Sequence, residues 1–426
     1  MKNLLKSLLA LLLVFSLVAC STTPTEETEK PTPDTTENGD TDVDETPSTG
    51  DNAQGVTDSE VLIANCAATS GAYAPVGVPF IAGIEAYLSK VNAEGGVNGR
   101  TIKFLHQDDE FDPAKGKACL QSMVEDEKVF AIVGHFGTPV VAATIQDLKE
   151  YGIPAVYFAT GIGQLYNDKA EGEDRVIMPV QPIYITEGQI MVARAVGNFD
   201  AKKIGVIYTN DDAGKDMLAG AKTKAEELGV ELVEAQVAPG ATDVSAAVTE
   251  IKNANVDFVI GASIQATIGT IVKGLAAQDV NVDVITTYVN VAPVIAEQTF
   301  DAMAGNFNLY GNGWVSFTEE SALAELPIYQ EHIDEEYALN AYAITGWIAA
   351  HFFVEGLKKV DGPVTWDAFI DAMESAPINN PFGGEINFGD GLRAGTTVMN
   401  LSKVESANEW AEVEPLQSVE EILKGR

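Results

Sequence analysis

Three short loops combine glycine with serine or threonine, which suits them to hold a carboxylate. They span residues 69–77, 135–139 and 159–163. Glycine lets a ligand approach the backbone, and hydroxyls and free amides at a helix start donate hydrogen bonds to an anion. The candidate contacts in these loops are Ser70, Gly137, Thr138, Thr160 and Gly161. Ser70 and Thr138 could instead serve only as helix caps.

Aromatic residues gather near the ends of the predicted strands. The candidates for ligand contact are Tyr73, Phe136, Tyr208 and Tyr288. Such rings suit an aromatic or extended apolar ligand, although strand-end aromatics are often simply part of the core.

Residue patterns for catalysis are not found. The loops after the first strands lack the Gly-x-Gly-x-x-Gly turn of dinucleotide enzymes, and residues 261–265 fail the Gly-x-Ser-x-Gly pattern at the last position. The four histidines form no metal pair at helical spacing. We therefore expect a non-enzyme without a cofactor, a metal or catalytic residues.

Two cysteines, Cys66 and Cys119, lie in apolar segments of the folded part. They could form a disulfide in an oxidising compartment. Because both contexts are apolar and no metal-ligand spacing is present, two buried free thiols are the favoured interpretation.

Strand-like runs alternate with longer segments that carry apolar residues at helical spacing. The predicted strands are residues 61–65, 101–106, 130–134, 155–158, 204–208, 231–236, 258–261 and 283–287. This alternation is typical of a parallel sheet covered by helices on both faces, and the series occurs twice. The predicted fold class is α/β, with two doubly wound parallel-sheet lobes linked near residues 179–182. An apolar helix over residues 340–359 is predicted to return to the first lobe.

The start of the chain has the pattern of an export signal. Two lysines flank the start of an apolar run of about 11 residues, too short to span a bilayer core of about 30 Å. The segment ends at Ala19-Cys20, which resembles the bacterial lipobox. We expect a signal peptide over residues 1–19 and lipidation of Cys20, with an ordinary cleavage site as the alternative. Residues 20–56 are almost entirely polar and acidic, so they are predicted to be a disordered tether.

The formal net charge is -37 at pH 7. Nucleic acid is therefore an unsuitable partner, because a polyanion would be repelled. We interpret the excess of acidic residues in the folded part as serving solubility rather than the binding of a specific partner.

From residue 61 onward the chain resembles a known family. The motifs that carry the resemblance are Ser70-Gly71 with Gly77, residues 92–99 (NAEGGVNG), residues 107–109 with Asp112-Pro113, residues 132–135, and residues 152–154. In order and spacing they are similar to the first lobe of the type I periplasmic binding proteins of the branched-chain amino-acid transporter family. Residues 382–388 resemble that family's final strand.

The resemblance implies two lobes that close on a small ligand about a hinge, as a Venus flytrap does. We expect a first lobe of residues 57–180 and 311–388 and a second lobe of residues 181–310 and 389–426. It also implies an extracytoplasmic protein, lipid-anchored on the outer face of the membrane or periplasmic, that works as a monomer and delivers its ligand to an ABC permease. A sensor without transport is the alternative.

In relatives that bind amino acids, the loops after the third and fourth strands hold the α-carboxylate. An acid that receives the α-ammonium should follow the strand ending near Thr287, but the sequence there runs from Tyr288 to Asn290 without one. Asn290 is instead a candidate for a ligand contact. Asp211 or Asp212 could supply the charge, or could only cap a helix. A buried ammonium without a counter-charge costs several kcal/mol. The resemblance thus allows an amino acid, while the residues favour a related amide or an organic or aromatic carboxylate.

Overall fold

The computed structural model describes residues 52–425. The predicted signal peptide, the lipidation site Cys20 and the tether up to residue 51 lie outside the described residues. Within the described range, no helix is long and apolar enough to cross a membrane.

The end of the predicted tether is ordered. The Gln54 side chain donates to the carbonyls of Val124 and Val129 at 3.3 and 3.0 Å. The Ala53 amide donates to the Val364 carbonyl at 2.9 Å. The prediction of disorder up to residue 56 was therefore wrong for residues 52–56. Their composition does not reveal that they form hydrogen bonds with backbone carbonyls of the folded part.

The first sheet has five strands, all parallel. They are β1 (Glu60–Ala67), β2 (Thr101–Asp108), β3 (Ala131–Phe136), β4 (Ala155–Ala159) and β5 (Ile177–Met178). Their order is β2-β1-β3-β4-β5. The helices α1 (Ala74–Ala93), α2 (Pro113–Gln121) and α3 (Thr138–Tyr151) connect them. Every residue of β3 is buried, as expected for a strand covered on both faces.

The chain then builds a second parallel series. Its strands are β6 (Lys203–Thr209), β7 (Glu231–Val237), β8 (Phe258–Ala262), β9 (Val284–Thr286) and β10 (Leu309–Gly313). Its helices are α4 (Tyr184–Phe199), α5 (Asp212–Leu228), α6 (Ser245–Ala254), α7 (Ala266–Ala277) and α8 (Pro293–Met303). The strands predicted in both series are confirmed, whereas β5 and β10 had no prediction.

The next segment returns to the first sheet. It contains α9 (Glu320–His332), α10 (Ala341–Lys358), α11 (Trp366–Glu374) and a short hairpin of β11 (Ile378–Asn379) and β12 (Glu385–Ile386). Helix α10 packs along α1 and against β3 and β4, as predicted. The contact is close because Gly83 of α1 has no side chain, and a Cβ there would lie 1.9 Å from the Ala343 carbonyl.

The chain ends by adding a hairpin to the second sheet. The strands β13 (Val398–Ser406) and β14 (Glu409–Ser418) pair antiparallel and precede α12 (Val419–Lys424). The seven-stranded order is β14-β13-β10-β9-β8-β6-β7. This antiparallel edge was not predicted, because β14 contains three glutamates and a proline and all of its residues are partly or fully exposed.

Cys66 and Cys119 form a disulfide, with Cα atoms 6.2 Å apart. The expectation of two free thiols was therefore wrong. Both side chains are fully buried, as expected. They meet because β2 lies beside β1, and α2, which follows β2, packs back over β1. The bond joins α2 to β1 of the first sheet.

Within residues 52–425, the chain crosses between the lobes three times. The first and third crossings lie side by side, because the Thr396 amide donates to the Val180 carbonyl at 2.9 Å. Gly395, at φ +66°, allows this approach, since a Cβ there would lie 2.0 Å from the Gln181 carbonyl oxygen. The second crossing begins after Gly313, the last residue of β10.

Candidate functional site

A cleft of about 900 Å³, counting its opening to solvent, lies between the carboxyl ends of the two sheets. This is the position at which ligands bind in open α/β sheets. Its aromatic lining consists of Tyr73, Phe80, Phe111, Phe136, Tyr184, Tyr288, Trp314, Phe317 and Tyr342. Its polar side chains are Thr138, Gln181, Gln265 and Thr345. Among the described residues that line the cleft, none carries a formal charge.

The first lobe contributes a polar corner at the start of α3. Gly137, at φ +91°, turns the chain from β3 into the helix. Thr138 follows, and its hydroxyl lies 2.8 Å from that of Thr160. The hydroxyl of Tyr184 joins the same pair. First-turn amides lack intrahelical acceptors, and the helix dipole favours negative charge there, so this corner can bind a carboxylate or a carbonyl oxygen.

Phe111 forms a wall that sequence analysis missed. It lies after β2 with φ +63°, in the left-handed region that aromatic residues rarely adopt. Its ring stacks on Tyr73 with centroids 3.7 Å apart and meets Phe136 edge-on at 6.3 Å. A Cβ on Gly137 would lie 2.6 Å from the Phe111 ring, so glycine is needed there. A sequence signal for Phe111 was available. Phe111 lies in an acidic turn at the carboxyl end of β2, directly before Asp112, which is a typical helix cap.

Gln181, also missed, joins the two lobes at the base of the cleft. It lies in the first crossing, and its Nε2 donates to the Tyr157 hydroxyl at 2.6 Å. Its Oε1 accepts from the Tyr288 hydroxyl at 3.1 Å. Burial raises the pKa of Tyr157 and that of Tyr288 above their ordinary value, so both hydroxyls stay protonated. The floor of the cleft is therefore an uncharged, hydrogen-bonded group of side chains.

A buried acid does reach the loop after β9, but from α4. Glu187 accepts hydrogen bonds from the Thr287 hydroxyl at 2.6 Å, the Tyr288 amide at 2.8 Å and the Asn312 side chain at 3.3 Å. Burial raises the pKa of Glu187 to about 7, and nearby Arg194 opposes that rise. Glu187 is not among the residues that line the cleft. It holds the Tyr288 loop from behind.

The structure brings part of the predicted site together. The predicted residues that line the cleft are Tyr73, Phe136, Gly137, Thr138 and Tyr288. Thr160 lies just behind Thr138. Gly161 is packed against the first crossing, where a Cβ would lie 2.2 Å from the Pro182 carbonyl oxygen.

Four predicted residues lie outside the lining. The Ser70 side chain is hydrogen-bonded to Asp108. The Tyr208 hydroxyl donates to Gln236 at 3.1 Å on the surface. Asp212 is exposed in the first turn of α5. Asn290 is fully buried, and its amide donates to Thr286 and to a backbone carbonyl, both at 2.7 Å.

Asp211, the other acid considered for an ammonium, caps α5. Its carboxylate accepts from the Gly214 amide at 2.9 Å and the Thr209 hydroxyl at 2.7 Å. Burial, and then the charge of Asp211, raise the pKa of Tyr73. The carboxylate is thus engaged at the edge of the cleft and does not line it.

Hydrogen bonds between the lobes include two at the cleft. The Gly163 amide donates to the Asp216 carboxylate at 2.6 Å, and the Tyr342 hydroxyl donates to the Val289 carbonyl at 3.2 Å. Burial raises the pKa of Asp216. These contacts join the two lobes directly.

Comparisons with known proteins agree with this architecture. A family model described as periplasmic binding protein matches residues 60–409. The Leu/Ile/Val-binding protein homolog 1 of Brucella abortus is 25% identical over 76% of this chain and 85% of its own. An amino acid binding protein of Pseudomonas aeruginosa is 26% identical over 52% of this chain and 58% of its own.

Solved structures show the same fold. A fatty acid ABC transporter substrate-binding protein from Thermomonospora curvata superposes with a TM-score of 0.76 at 21% identity, covering 88% of this chain and 97% of its own. A branched chain amino acid ABC transporter protein from Thermus thermophilus with bound valine gives 0.74 at 16% identity, covering 86% and 99%. The chain therefore belongs to the periplasmic binding protein family and has the type I fold of its branched-chain amino-acid group.

Proposed function

We propose that this chain is the extracytoplasmic binding subunit of an ABC importer, and that its ligand is an apolar or aromatic molecule with a carboxylate or amide head and no ammonium. At the level of the family, the role is solute binding rather than catalysis. The observation that carries the choice of ligand is the uncharged aromatic lining of the cleft.

The lining argues against an amino acid. An ammonium taken from water needs a carboxylate partner, and without one the cost is several kcal/mol. Glu187 is the nearest buried acid on the second-lobe side, but it already accepts three hydrogen bonds behind Tyr288. Asp211 is likewise engaged as a helix cap. Neither carboxylate is available to an ammonium in the cleft.

The head group of the ligand fits the corner at the start of α3. Thr138 and Thr160 supply hydroxyls, and the helix N-terminus favours a negative or carbonyl oxygen. The body of the ligand fits against Tyr73, Phe111 and Phe136. Burying about 150–200 Å² of apolar surface at about 25 cal/mol per Å² contributes about 4–5 kcal/mol, enough to replace the missing ion pair.

The relatives span both possibilities. One solved neighbour is named for fatty acids and another contains valine. The fatty acid protein supports an apolar carboxylate, whereas the valine complex supports the amino-acid alternative. The lining of this cleft favours the first.

We further propose that the lobes divide after the crossings seen in the structure. The first lobe then comprises residues 57–180 and about 314–394, and the second comprises residues 181–313 and about 395–426. Gly313 ends β10 of the second sheet, while Arg393 is still bonded within the first lobe, to the Arg175 carbonyl at 2.9 Å. Lipidation of Cys20 after removal of residues 1–19 and a monomeric state complete the proposal.

The experiment is thermal unfolding and calorimetric titration with ligands matched except for the ammonium. Leucine is compared with 4-methylpentanoate, phenylalanine with 3-phenylpropanoate, and the last with 3-phenylpropanamide. We expect the compounds without ammonium to stabilise the chain, by about 2.7 kcal/mol at 100 times the dissociation constant. Stabilisation by leucine or phenylalanine alone would contradict the proposal.

A variant pair locates the head group. Thr138→Val should weaken 3-phenylpropanoate about tenfold, since it removes a hydroxyl from the corner. Thr249→Val changes an exposed threonine on α6 in the same way and should leave the affinity unchanged. Equal losses in both variants would place the head group elsewhere.

A further inference from the structure

Gln265 is a strained residue in the wall of the cleft. Its backbone has φ +44° and ψ -111°, a combination that non-glycine residues rarely adopt, directly before α7. Asn290 imposes this conformation, because its Oδ1 accepts the Gln265 amide at 2.6 Å. Asn290 is itself fixed by bonds to Ser263 and Thr286. Strain that is held so firmly points to a function for the residue that carries it.

The neighbours of Gln265 determine how its side-chain amide is oriented. The Tyr342 hydroxyl uses its hydrogen to donate to the Val289 carbonyl at 3.2 Å. Burial raises the pKa of Tyr342 and Gln265 opposes that rise, as an amide N–H directed at the Tyr342 oxygen does. With its nitrogen on that side, the amide of Gln265 directs its carbonyl oxygen away from Tyr342.

The carbonyl oxygen of Gln265 is a buried acceptor without a donor. Among the described residues, Gln265 Oε1 is shielded from solvent and has no hydrogen-bond partner. Gln265 lines the cleft from the second lobe, whereas Thr138 lines it from the first. A buried acceptor left unsatisfied costs about 1–3 kcal/mol, a cost that a donor on the ligand would remove.

We infer that Gln265 Oε1 accepts a hydrogen bond from the ligand, and that the ligand carries a neutral donor, a hydroxyl or a primary amide, on its apolar body as well as its head group. This inference rests on the proposed function and narrows its ligand class. The head binds the first lobe at Thr138 and the donor binds the second lobe at Gln265, so a ligand with both groups bridges the lobes. An ammonium in the donor position would face a neutral oxygen without a counter-charge and is disfavoured.

The test uses calorimetry on the complete chain with 3-phenylpropanoate as the parent ligand. Its 3-hydroxyphenyl and 4-hydroxyphenyl analogues place a hydroxyl donor at two different positions on the ring. The 4-methylphenyl analogue has nearly the same shape as the 4-hydroxyphenyl analogue but no donor. We expect one hydroxyl analogue to bind at least about tenfold more tightly than the parent and the methyl analogue, since a site built to bond a hydroxyl rejects ligands that lack it.

The matched variant is Gln265→Met, which keeps the length of the side chain and removes its acceptor. We expect it to abolish the hydroxyl preference, so that the hydroxyl analogue binds no more tightly than the methyl analogue. Tyr342→Phe serves if Gln265→Met fails to fold. It frees the Gln265 amide to rotate and should reduce the same preference.

The outcomes separate the two proposals. If the parent binds but neither hydroxyl analogue is preferred, or if the preference survives in the folded variant, the assignment of Gln265 is refuted and the proposed function stands. If no analogue binds, with or without a hydroxyl, the proposed function is refuted and the assignment of Gln265 with it.

Discussion

The buried carboxyl of Glu187 should make stability depend on pH in a defined direction. Its pKa is raised from 4.5 to about 7 in the folded chain. Between these values the folded state holds a proton that the unfolded state has lost, so the free energy of unfolding falls as pH rises through this window. The shift corresponds to about 3 kcal/mol, of which about 2.5 kcal/mol develops between pH 5 and pH 8.

The perturbation is Glu187→Gln, which removes the titration and keeps the shape of the side chain. Urea unfolding followed by tryptophan fluorescence at pH 5, 6, 7 and 8 gives the free energy of each protein. The wild type should lose about 2.5 kcal/mol relative to the variant from pH 5 to pH 8. Lost hydrogen bonds to the carboxylate add an offset to the variant at every pH, so the slope of the difference is the quantity tested.

Other buried groups titrate in the same range but cancel in the comparison. Burial raises the pKa of Asp109 to about 6 and lowers the pKa of His135 to about 4, and both residues are present in wild type and variant. Glu250→Gln, an exposed change on α6, should track the wild type. A difference between wild type and Glu187→Gln that stays constant within about 0.5 kcal/mol, or that grows with acidification, would refute the reasoning about burial.

Two further predictions concern the disulfide and the wall of the cleft. Replacing Cys66 and Cys119 together by serine should lower the free energy of unfolding by about 3–4 kcal/mol, because the bond closes a long loop, and urea unfolding measures it. An unchanged value would mean that the bond contributes no stability. Gly137→Ala should weaken 3-phenylpropanoate about tenfold in calorimetry, because its Cβ would displace Phe111. Gly240→Ala is the matched control, since Gly240 has φ +68° with open space around it, and an equal loss there would contradict the steric argument.

Local patterns predicted much of the fold. The strands β1 to β4 and β6 to β9 follow from the alternation of apolar patterns, and so does the apolar helix α10. The β13–β14 hairpin could not be predicted, because its stability comes from pairing with β10 rather than from its own apolar pattern. The disulfide was missed for a related reason. Only the order of strands in the sheet brings α2 over β1.

Part of the candidate site could also be predicted. Loops after β3 and β4 must reach the same edge of a parallel sheet, so Gly137 and Thr138 were accessible to sequence reasoning. Phe111 depends on a left-handed backbone, and Gln181 depends on where the chain crosses between lobes. The conformation of Gln265 depends on the hydrogen bond that its amide donates to Asn290, a residue predicted from the sequence to contact the ligand.

No described residue that lines the cleft carries a formal charge. Salt should therefore affect the association rate of the ligand and its residence time differently. Ions at physiological strength screen exposed charges beyond about 8 Å, but they hardly affect apolar contact. Once a ligand is inside, its residence time should therefore vary little with ionic strength. The encounter is different, because a carboxylate approaches a chain of net charge -37. Salt should raise the association rate of the ligand and leave its dissociation rate nearly unchanged. A change of affinity with salt would then come from the association rate.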